Sequence, residues 1–229
     1  MTDEQSRRVV AVDGPGGSGK STVARGVATR LGMRYLDTGA MYRALSWVAL
    51  EHRVDIEDAE AVAELAERAV LSVGTDPEAA TICVDGHDVS ADIRTRPVTN
   101  AVSAVSAVPA VRRLMVEQQQ SIIRSAGPPG IVVEGRDIGT VVAPDAQVKV
   151  FLTASSTARA KRRTADLGAA GEAAVARTRA ELDRRDVADS SRAASPLAQA
   201  DDAAVIDSTW LSPDEVIERV VLLAAQPTA

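Results

Sequence analysis

Val9-Val10-Ala11-Val12-Asp13, followed by Gly14-Pro15-Gly16-Gly17-Ser18-Gly19-Lys20-Ser21, is the stretch that decides the fold. The apolar, β-branched run predicts a buried strand, and the pattern G-x-x-x-x-G-K-S predicts a phosphate loop that leads into a helix. Glycines let the backbone turn tightly, so that successive N–H groups and the positive end of the helix face one anion. The stretch therefore predicts a nucleoside triphosphate site, in which Lys20 reaches the β- and γ-phosphates and Ser21 holds Mg²⁺. The alternative, a glycine-rich turn that binds nothing, is disfavoured because both flanking elements are predicted as well.

The composition excludes several classes of protein. The chain has 229 residues, 45% of them hydrophobic and 25% charged, which is typical of a globular protein with a large core. A net charge of −6 and an aromatic content of 2% argue against a surface that binds a nucleic acid polymer. Cys83 is the only cysteine, and the two histidines are far apart in sequence, so no disulfide or zinc site is expected.

No targeting or membrane segment is predicted. Residues 1–8 are charged and polar, and the aliphatic run at 220–225 is too short to cross a bilayer. We therefore expect a cytoplasmic protein with no membrane partner. No long apolar stripe is left unexplained, so a monomer is expected.

Strand and helix patterns alternate along most of the chain. Besides 9–13, short apolar runs predict parallel strands at 34–36, 131–133, 148–152 and 204–206. Residues 70–105 differ, because their alternating pattern and turn residues predict a small antiparallel insert. The pattern as a whole predicts an α/β fold, with a parallel sheet covered by helices on both faces.

Polar residues follow three of the predicted strands, where an α/β sheet binds its ligands. They are Asp13 with the phosphate loop, Asp37-Thr38-Gly39 with Tyr42 and Arg43, and Glu134-Gly135-Arg136-Asp137. Phosphoryl transfer needs cations around the migrating group, so Arg43 and Arg136 are candidates for clamping an acceptor phosphate. The alternative for either arginine is an ion pair at the surface. Asp137 either contacts a ligand or pairs with Arg136.

Residues 156–191 form a basic, helical segment inside an acidic chain. The simple interpretation is a solvated helical face on which Glu172, Glu181 and Asp183 pair with the arginines. We favour a lid that folds over the triphosphate and excludes water, because the segment interrupts a sheet that already carries a phosphate loop.

Six segments, in order, resemble the bacterial cytidylate kinase family over nearly the whole chain. They are VDGPGGSGKST, LDTGAMYR, IRTRPV with AVSAVSAVPAVRR, EGRDIGTVV, RRDVADSSRAASPL and VIDST. The resemblance implies a P-loop kinase with a five-stranded parallel sheet of order 2-3-1-4-5, a small antiparallel insert and a helical lid. It implies one kinase domain over residues 1–229, with a monophosphate-binding insert at 70–105 and a lid region at 156–191. The implied activity is phosphoryl transfer from ATP to CMP or dCMP, with Mg²⁺.

The resemblance also implies roles for matching residues. Catalytic roles fall on Lys20, Arg43, Arg136 and Arg192. ATP contacts fall on Gly14, Pro15, Gly16, Gly17, Ser18, Gly19, Lys20, Ser21, Thr22, Arg159 and Arg163, with Ser21 as the metal ligand. CMP contacts fall on Thr38, Tyr42, Arg43, Ser103, Arg112, Arg136, Asp137, Arg185, Asp189 and Arg192. Of these, Arg185 and Asp189 are implied for the sugar, and Ser103, Arg112 and Asp137 for the cytosine edge. Glu134 stands where some relatives have Asp, which puts its implied role near Mg²⁺ in doubt, and Thr38 stands where some have Ser.

Two alternatives remain open. In the first alternative, the chain is another small P-loop kinase that acts on UMP, AMP, dTMP or a non-nucleotide alcohol. In the second, it is a nucleotide-binding regulator. The long insert argues against the simplest of these kinases. The guanine-reading pattern N-K-x-D is absent from the sequence, which argues against a GTP-dependent switch.

Overall fold

A computed structural model describes residues 7–192 and 194–226. Residues 1–6, which belong to the polar stretch at 1–8 considered above, lie outside the described residues, as do 193 and 227–229.

The described chain contains eight strands and eight α-helices. The strands are β1 (Arg8–Asp13), β2 (Arg34–Asp37), β3 (Leu71–Val73), β4 (Ile82–Val84), β5 (His87–Asp88), β6 (Gly130–Gly135), β7 (Val148–Thr153) and β8 (Ala204–Asp207). The helices are α1 (Lys20–Leu31), α2 (Thr38–Glu51), α3 (Ala59–Arg68), α4 (Arg96–Ala107), α5 (Pro109–Ser125), α6 (Ser156–Asp166), α7 (Glu172–Ser191) and α8 (Pro213–Ala225). A 3-10 turn (Asp92–Arg94) precedes α4, and a π-helical turn (Ile138–Val142) follows β6.

The main sheet is parallel and has the strand order β2-β6-β1-β7-β8. Counted along the chain, its five strands stand in the order 2-3-1-4-5, so the expected fold is confirmed. In the register of the sheet, Asp13 lies beside Gly135 and Asp37 lies beside Glu134. The polar residues after β1, β2 and β6 therefore meet at one edge of the sheet.

Each face of the sheet is buried against helices, because strand side chains alternate between the two faces. Val10 and Val12 of β1 belong to a core formed with α1 and α8, whereas Val9 and Ala11 belong to a larger core formed with α2, α4 and α5. This packing explains why the strands are nearly continuous apolar runs.

The insert is a three-stranded antiparallel sheet of order β3-β4-β5, as predicted. Its side chains Leu71, Ile82 and Val84 are buried in the same core as those of α2. The arginine-rich segment forms the two helices α6 and α7. They are separated at Gly168 and Gly171, whose φ angles of 65° and 93° are unfavourable for other residues.

Two helix starts differ from the sequence expectation. The phosphate-loop pattern predicts a helix that begins near Ser18, but α1 begins at Lys20, because Gly17 and Gly19 have φ angles of 73° and 94°. The sequence at 37–39 predicts a turn and cap before a helix at 40–51. The helix instead begins at Thr38, and the side chain of Asp37 caps it by accepting a hydrogen bond from Ala40 N–H (2.8 Å). Across residues 7–192 and 194–226, no helix is both long and apolar enough to cross a membrane.

Candidate active site

A cleft of about 830 Å³ opens where β1, β2 and β6 end. Nine arginines and Lys20 line it, against five carboxylates, although the chain as a whole has a net charge of −6. A recess lined by one sign of charge raises the local concentration of ions of the other sign. The cleft therefore suits an anionic ligand.

The phosphate loop forms one end of the cleft, between β1 and α1. The ammonium group of Lys20 is buried and donates a hydrogen bond to the carbonyl oxygen of Pro15 (2.8 Å). Burial, together with the nearby cation of Arg136, lowers the pKa of Lys20 to about 7. A bound polyphosphate would reverse this shift, because it brings negative charge to the same place.

Glu134, at the end of β6, lies beside the first turn of α1. One of its carboxylate oxygens accepts a hydrogen bond from the Ser21 hydroxyl (3.0 Å), and the other accepts one from the hydroxyl of Tyr35. Burial and the nearby Asp37 raise the pKa of Glu134. The Thr38 hydroxyl donates to the backbone carbonyl of Glu134 (2.7 Å), which joins the start of α2 to the same point.

Asp13 connects the end of β1 with the turn that carries Arg136 and Asp137. Its carboxylate accepts hydrogen bonds from the N–H groups of Ile138 (2.9 Å) and Gly139 (2.8 Å). Burial raises the pKa of Asp13 to about 6, against the effect of these two hydrogen bonds. Because its side chain is only 5% exposed, this contact is shielded from water and holds the turn in place.

Asp189 of α7 gathers three arginines in the middle of the cleft. It pairs with Arg136 (2.9 Å), Arg192 (3.4 Å) and Arg185 (3.8 Å), while Arg43 pairs with Asp37 (3.4 Å). Although burial opposes its charge, these arginines hold the pKa of Asp189 below its usual range. Burial and the Arg136 cation lower the pKa of Arg185 to about 9. The cluster thus contains more cations than its own carboxylates neutralise.

Several donors of this cluster have no partner among the described residues. The Nε atoms of Arg43, Arg185 and Arg192 are buried and make no hydrogen bond there. A buried donor without a partner costs about 1–3 kcal/mol. A phosphate group, with its several acceptor oxygens, is the chemistry that satisfies these donors.

The other end of the cleft contains a buried ion pair between Arg112 of α5 and Asp137. Arg112 also donates to the carbonyl oxygen of Ser106 (3.3 Å), and its guanidinium lies over the ring of Tyr42, 5.3 Å from the ring centroid. Burial raises the pKa of Tyr42 to about 12. Fixed donors and acceptors beside an aromatic ring can distinguish one nucleobase from another.

Side chains of helices α6 and α7 line part of the cleft. Arg162 and Arg163 both line it, and Arg162 is held by the Ser208 hydroxyl (2.9 Å) and carbonyl (2.6 Å). The apolar side chains of Val23, Leu211 and Val216 also line the cleft. An apolar wall with one guanidinium group suits a flat, neutral base.

The cytidylate kinase family model matches residues 10–226 of the chain. The chain belongs to the cytidylate kinase family. Cytidylate kinases from Streptomyces avermitilis and Rhodococcus opacus are 53% and 51% identical to it, each over 96% of this chain and over 94% and 96% of their own lengths. A bifunctional pantoate ligase/cytidylate kinase from a Synechococcus strain is 47% identical over 98% of this chain and 42% of its own length. The family assignment makes the chain a kinase that phosphorylates CMP or dCMP with ATP.

Most of the residues implied by the resemblance to this family line the one cleft. Those that do are Gly16, Gly17, Ser18, Gly19, Lys20, Ser21, Thr22, Thr38, Tyr42, Arg43, Arg112, Arg136, Asp137, Arg163, Arg185, Asp189 and Arg192. Gly14 and Pro15 lie at the start of the phosphate loop and contribute backbone carbonyls to Arg136 and Lys20. Ser103 lines a smaller cavity of about 400 Å³ between α4 and α7. Arg159 lines neither cavity and contacts the outer side of the phosphate loop.

Several residues that line the cleft were given no individual role from the sequence. Arg94 and Ser106 are two of them, and Arg162, which was assigned only as part of the basic lid segment, is the third. Arg162 immediately precedes Arg163, so its own position in the sequence carried no distinguishing signal. Ser106 lies three residues after Ser103 on the same helix, where only the rotation of α4 decides which side chain reaches the cleft.

Proposed function

We propose that the phosphate loop holds ATP and that the opposite end of the same cleft holds CMP or dCMP, so that phosphoryl transfer is direct. The observation that carries this proposal is one cleft with a phosphate loop at one end, a buried Arg112–Asp137 pair at the other and an arginine cluster between them. An oxygen of the CMP phosphate bonds to the γ-phosphorus of ATP, and the bond to the β,γ-bridging oxygen breaks. ADP and CDP leave, and no side chain forms a covalent intermediate.

ATP, the phosphoryl donor, is bound by backbone N–H groups and by positively charged side chains. The loop N–H groups from Gly17 to Ser21 and the start of α1 surround the β-phosphate, and Lys20 reaches the β- and γ-oxygens. Arg163 and Arg162 of the lid contribute further positive charge. Because the lid helices cover the loop, water is kept away from the γ-phosphate, and simple hydrolysis of ATP is suppressed.

The acceptor is bound by the arginine cluster. Arg43, Arg136 and Arg192 hold the CMP phosphate, and the unpartnered Nε atoms of Arg43 and Arg192 support this assignment. Arg185 and Asp189 hold the sugar hydroxyls, while Thr38 and Tyr42 line the path between phosphate and base. In the transition state, charge spreads over the migrating group, so fixed cations there lower the barrier.

Arg112 and Asp137 read the cytosine edge, whereas Ser103, which the family resemblance implies for the same edge, lines the smaller cavity instead of this cleft. Cytosine presents an amino donor where uracil presents an acceptor, and Asp137 can accept from that amino group. The side chains of Arg112 and Asp137 are only 4% and 6% exposed. A base without the matching hydrogen-bonding groups leaves these buried polar groups unpaired, so it binds less tightly than cytosine.

The oxygen donors near the phosphate loop fit Mg²⁺. The hydroxyl of Ser21 and the carboxylate of Glu134 meet within 3.0 Å, and Mg²⁺ in kinases prefers one or two such oxygens together with substrate phosphates. No cluster of three or more His, Cys, Asp or Glu is present in the described part of the chain, which agrees with a metal held mainly by the nucleotide. When bound, the ion neutralises charge on the β- and γ-phosphates. Tyr35 holds the far oxygen of Glu134, so that its other oxygen stays directed at Ser21.

The domain organisation, oligomeric state and location belong to the same proposal. We infer a single kinase domain over residues 1–229, with the monophosphate-binding insert at 70–105 and the lid region at 156–191. We infer that it is a cytoplasmic monomer. Burial of β3 and β4 in the core of α2 supports an insert that is part of one domain.

The proposal is tested by ADP release from Mg·ATP with CMP, dCMP, UMP and AMP in parallel. CMP and dCMP should be the preferred acceptors, and omission of Mg²⁺ should abolish turnover. Lys20→Ala should be inactive yet folded, and Glu134→Gln should require a higher Mg²⁺ concentration for half-maximal rate. A preference for UMP or AMP would contradict the base-reading assignment, and near-normal turnover of Lys20→Ala would contradict the donor site.

A further inference from the structure

Arg159 of α6 approaches the phosphate loop from outside the cleft. Its side chain is 9% exposed, and its guanidinium donates to the carbonyl oxygen of Gly16 (3.0 Å). The same guanidinium forms an ion pair with Asp186 of α7. Both contacts are made by the Nη1 atom of Arg159, while its buried Nε atom has no partner among the described residues. Neither Arg159 nor Asp186 lines the cleft, so the pair contacts the loop from outside it.

Asp186 holds the other polar group of the same residue. One of its carboxylate oxygens accepts a hydrogen bond from the N–H of Gly16 (3.3 Å), while the other pairs with Arg159. The N–H and the C=O of Gly16 are thus both bound by one ion pair that joins the two lid helices. This arrangement fixes the two peptide planes that flank Gly16.

The fit of the loop against these helices leaves no room for side chains. A Cβ atom on Gly17 would lie 2.9 Å from the carbonyl oxygen of Arg159, and one on Gly16 would lie 3.0 Å from a methyl group of Leu182. Gly17, whose φ angle is 73°, is therefore required by the approach of α6, whereas Gly16 packs closely against a side chain of α7 that can move.

The charge of Asp186 also needs an explanation. A carboxylate beside a loop that binds a polyphosphate repels the ligand, so without a compensating role its presence weakens binding. Burial opposes the charge of Arg136, yet Asp189 and also Asp186 raise the pKa of Arg136, so the acid lies close enough to act on the arginine cluster.

We infer that Arg159 and Asp186 are positioning residues, which clamp Gly16 from outside and hold the phosphate loop in its binding shape, and that Arg159 is not a ligand of the triphosphate. The inference rests on the proposed donor site. The clamp connects the phosphate loop rigidly to the two lid helices, and Arg162, Arg163 and Asp189 lie on these same helices. The donor cradle and the acceptor arginines are thereby held in register.

The test is Mg·ATP binding, measured by titration calorimetry without acceptor, in Arg159→Lys, Asp186→Asn and the double variant. Each single variant should bind Mg·ATP about tenfold more weakly, because a hydrogen-bonded ion pair is lost. The double variant should be no weaker than the worse single variant, because both changes break the same clamp. Binding of CMP alone and the thermal unfolding midpoint should change little, which separates loop positioning from general loss of structure.

Asp183→Asn is the matched control. Asp183 lies one turn before Asp186 on α7, is 3.8 Å from Arg159 and is 48% exposed, but it makes no contact with Gly16. Its variant should bind Mg·ATP like the parent.

Whether Asp186→Asn weakens or strengthens Mg·ATP binding decides between a positioning role for Arg159 and direct binding of the triphosphate. This comparison holds even if Arg159→Lys does not fold. If Arg159 instead bound the triphosphate, removal of the nearby carboxylate charge would leave ATP binding unchanged or tighter, and that result would overturn the inference. Because the parent is measured alongside, failure of the proposed donor site would appear as absent ATP binding in the parent itself.

Discussion

Arg112 and Asp137 form an ion pair inside the protein, with side chains that are only 4% and 6% exposed. Arg112 comes from α5, and Asp137 comes from the turn after β6, so only the folded chain brings them together. Burying two charges costs free energy unless each is compensated by its partner and by further hydrogen bonds. In the proposed site they face the edge of the cytosine base.

Asp137→Asn should therefore relax the choice of base. An asparagine amide can donate to the O4 of uracil, which a carboxylate cannot do. We expect the ratio of kcat/KM for CMP to that for UMP to fall at least about tenfold, as one matched polar contact is lost. Initial rates of ADP release with each acceptor measure this ratio. An unchanged ratio would place base recognition elsewhere in the cleft.

Arg136→Ala should reduce transition-state stabilisation. Arg136 bridges the carbonyl oxygen of Gly14 (3.0 Å) and Asp189 (2.9 Å), so it stands between the donor loop and the acceptor cluster. A cation at the transferred phosphoryl group contributes about a thousandfold or more in such enzymes. We expect kcat/KM for CMP to fall by about that factor in steady-state assays. Arg113→Ala, at an exposed position beside Arg112, is the control that should keep parental rates.

ATP binding should take up a proton at Lys20. In the protein without nucleotide, burial and the Arg136 cation hold the pKa of Lys20 at about 7, and triphosphate binding should raise it again. At pH 8 we expect roughly 0.9 of a proton to be taken up per ATP, so affinity should fall as the pH rises from 7 to 9. Calorimetry in two buffers of different ionisation enthalpy measures the uptake. Lys20→Arg, whose guanidinium stays charged, should show none.

Asp13 should make the folded state less stable as the pH rises through its titration range. Its pKa is about 6 in the folded protein and 3.8 in the absence of structure, so between these values only the folded state holds the proton. Unfolding free energy should therefore fall by up to about 3 kcal/mol between pH 4 and pH 7 because of this group. Denaturant titrations of the parent and of Asp13→Asn isolate the contribution as the difference between the two. A difference that does not vary with pH would contradict the raised pKa.

The sequence predicted elements well where the signal is local. The strand order, which only the family resemblance implied, is confirmed. The antiparallel insert follows its local pattern, and Ser212-Pro213-Asp214-Glu215, a typical helix start, begins α8, where Ser212 and Glu215 bond each other's backbone N–H groups. Helix α5 begins at Pro109, as the preference of proline for the first turn of a helix predicts. These signals act within a few residues, so no knowledge of distant contacts is needed to interpret them.

The sequence could not predict which of several similar side chains on one helix line the cleft. Arg159, Arg162 and Arg163 all lie on α6, but Arg162 and Arg163 line the cleft, whereas Arg159 contacts Gly16 from the other side. Their spacing fits several rotations of the helix about its axis. The rotation is decided by packing of α6 against α7 and the phosphate loop.

The sequence by itself determined that β1 and the loop at 14–21 would form a strand and a phosphate cradle, because glycine conformations and strand periodicity are local properties. It also determined which polar segments would reach the sheet edge, since parallel strands end together. Only the tertiary structure decided that Glu134 meets Ser21, that Arg112 pairs with Asp137 and that Asp186 holds Gly16. Those contacts join segments 25 to 170 residues apart, and their geometry depends on how whole helices pack on the sheet.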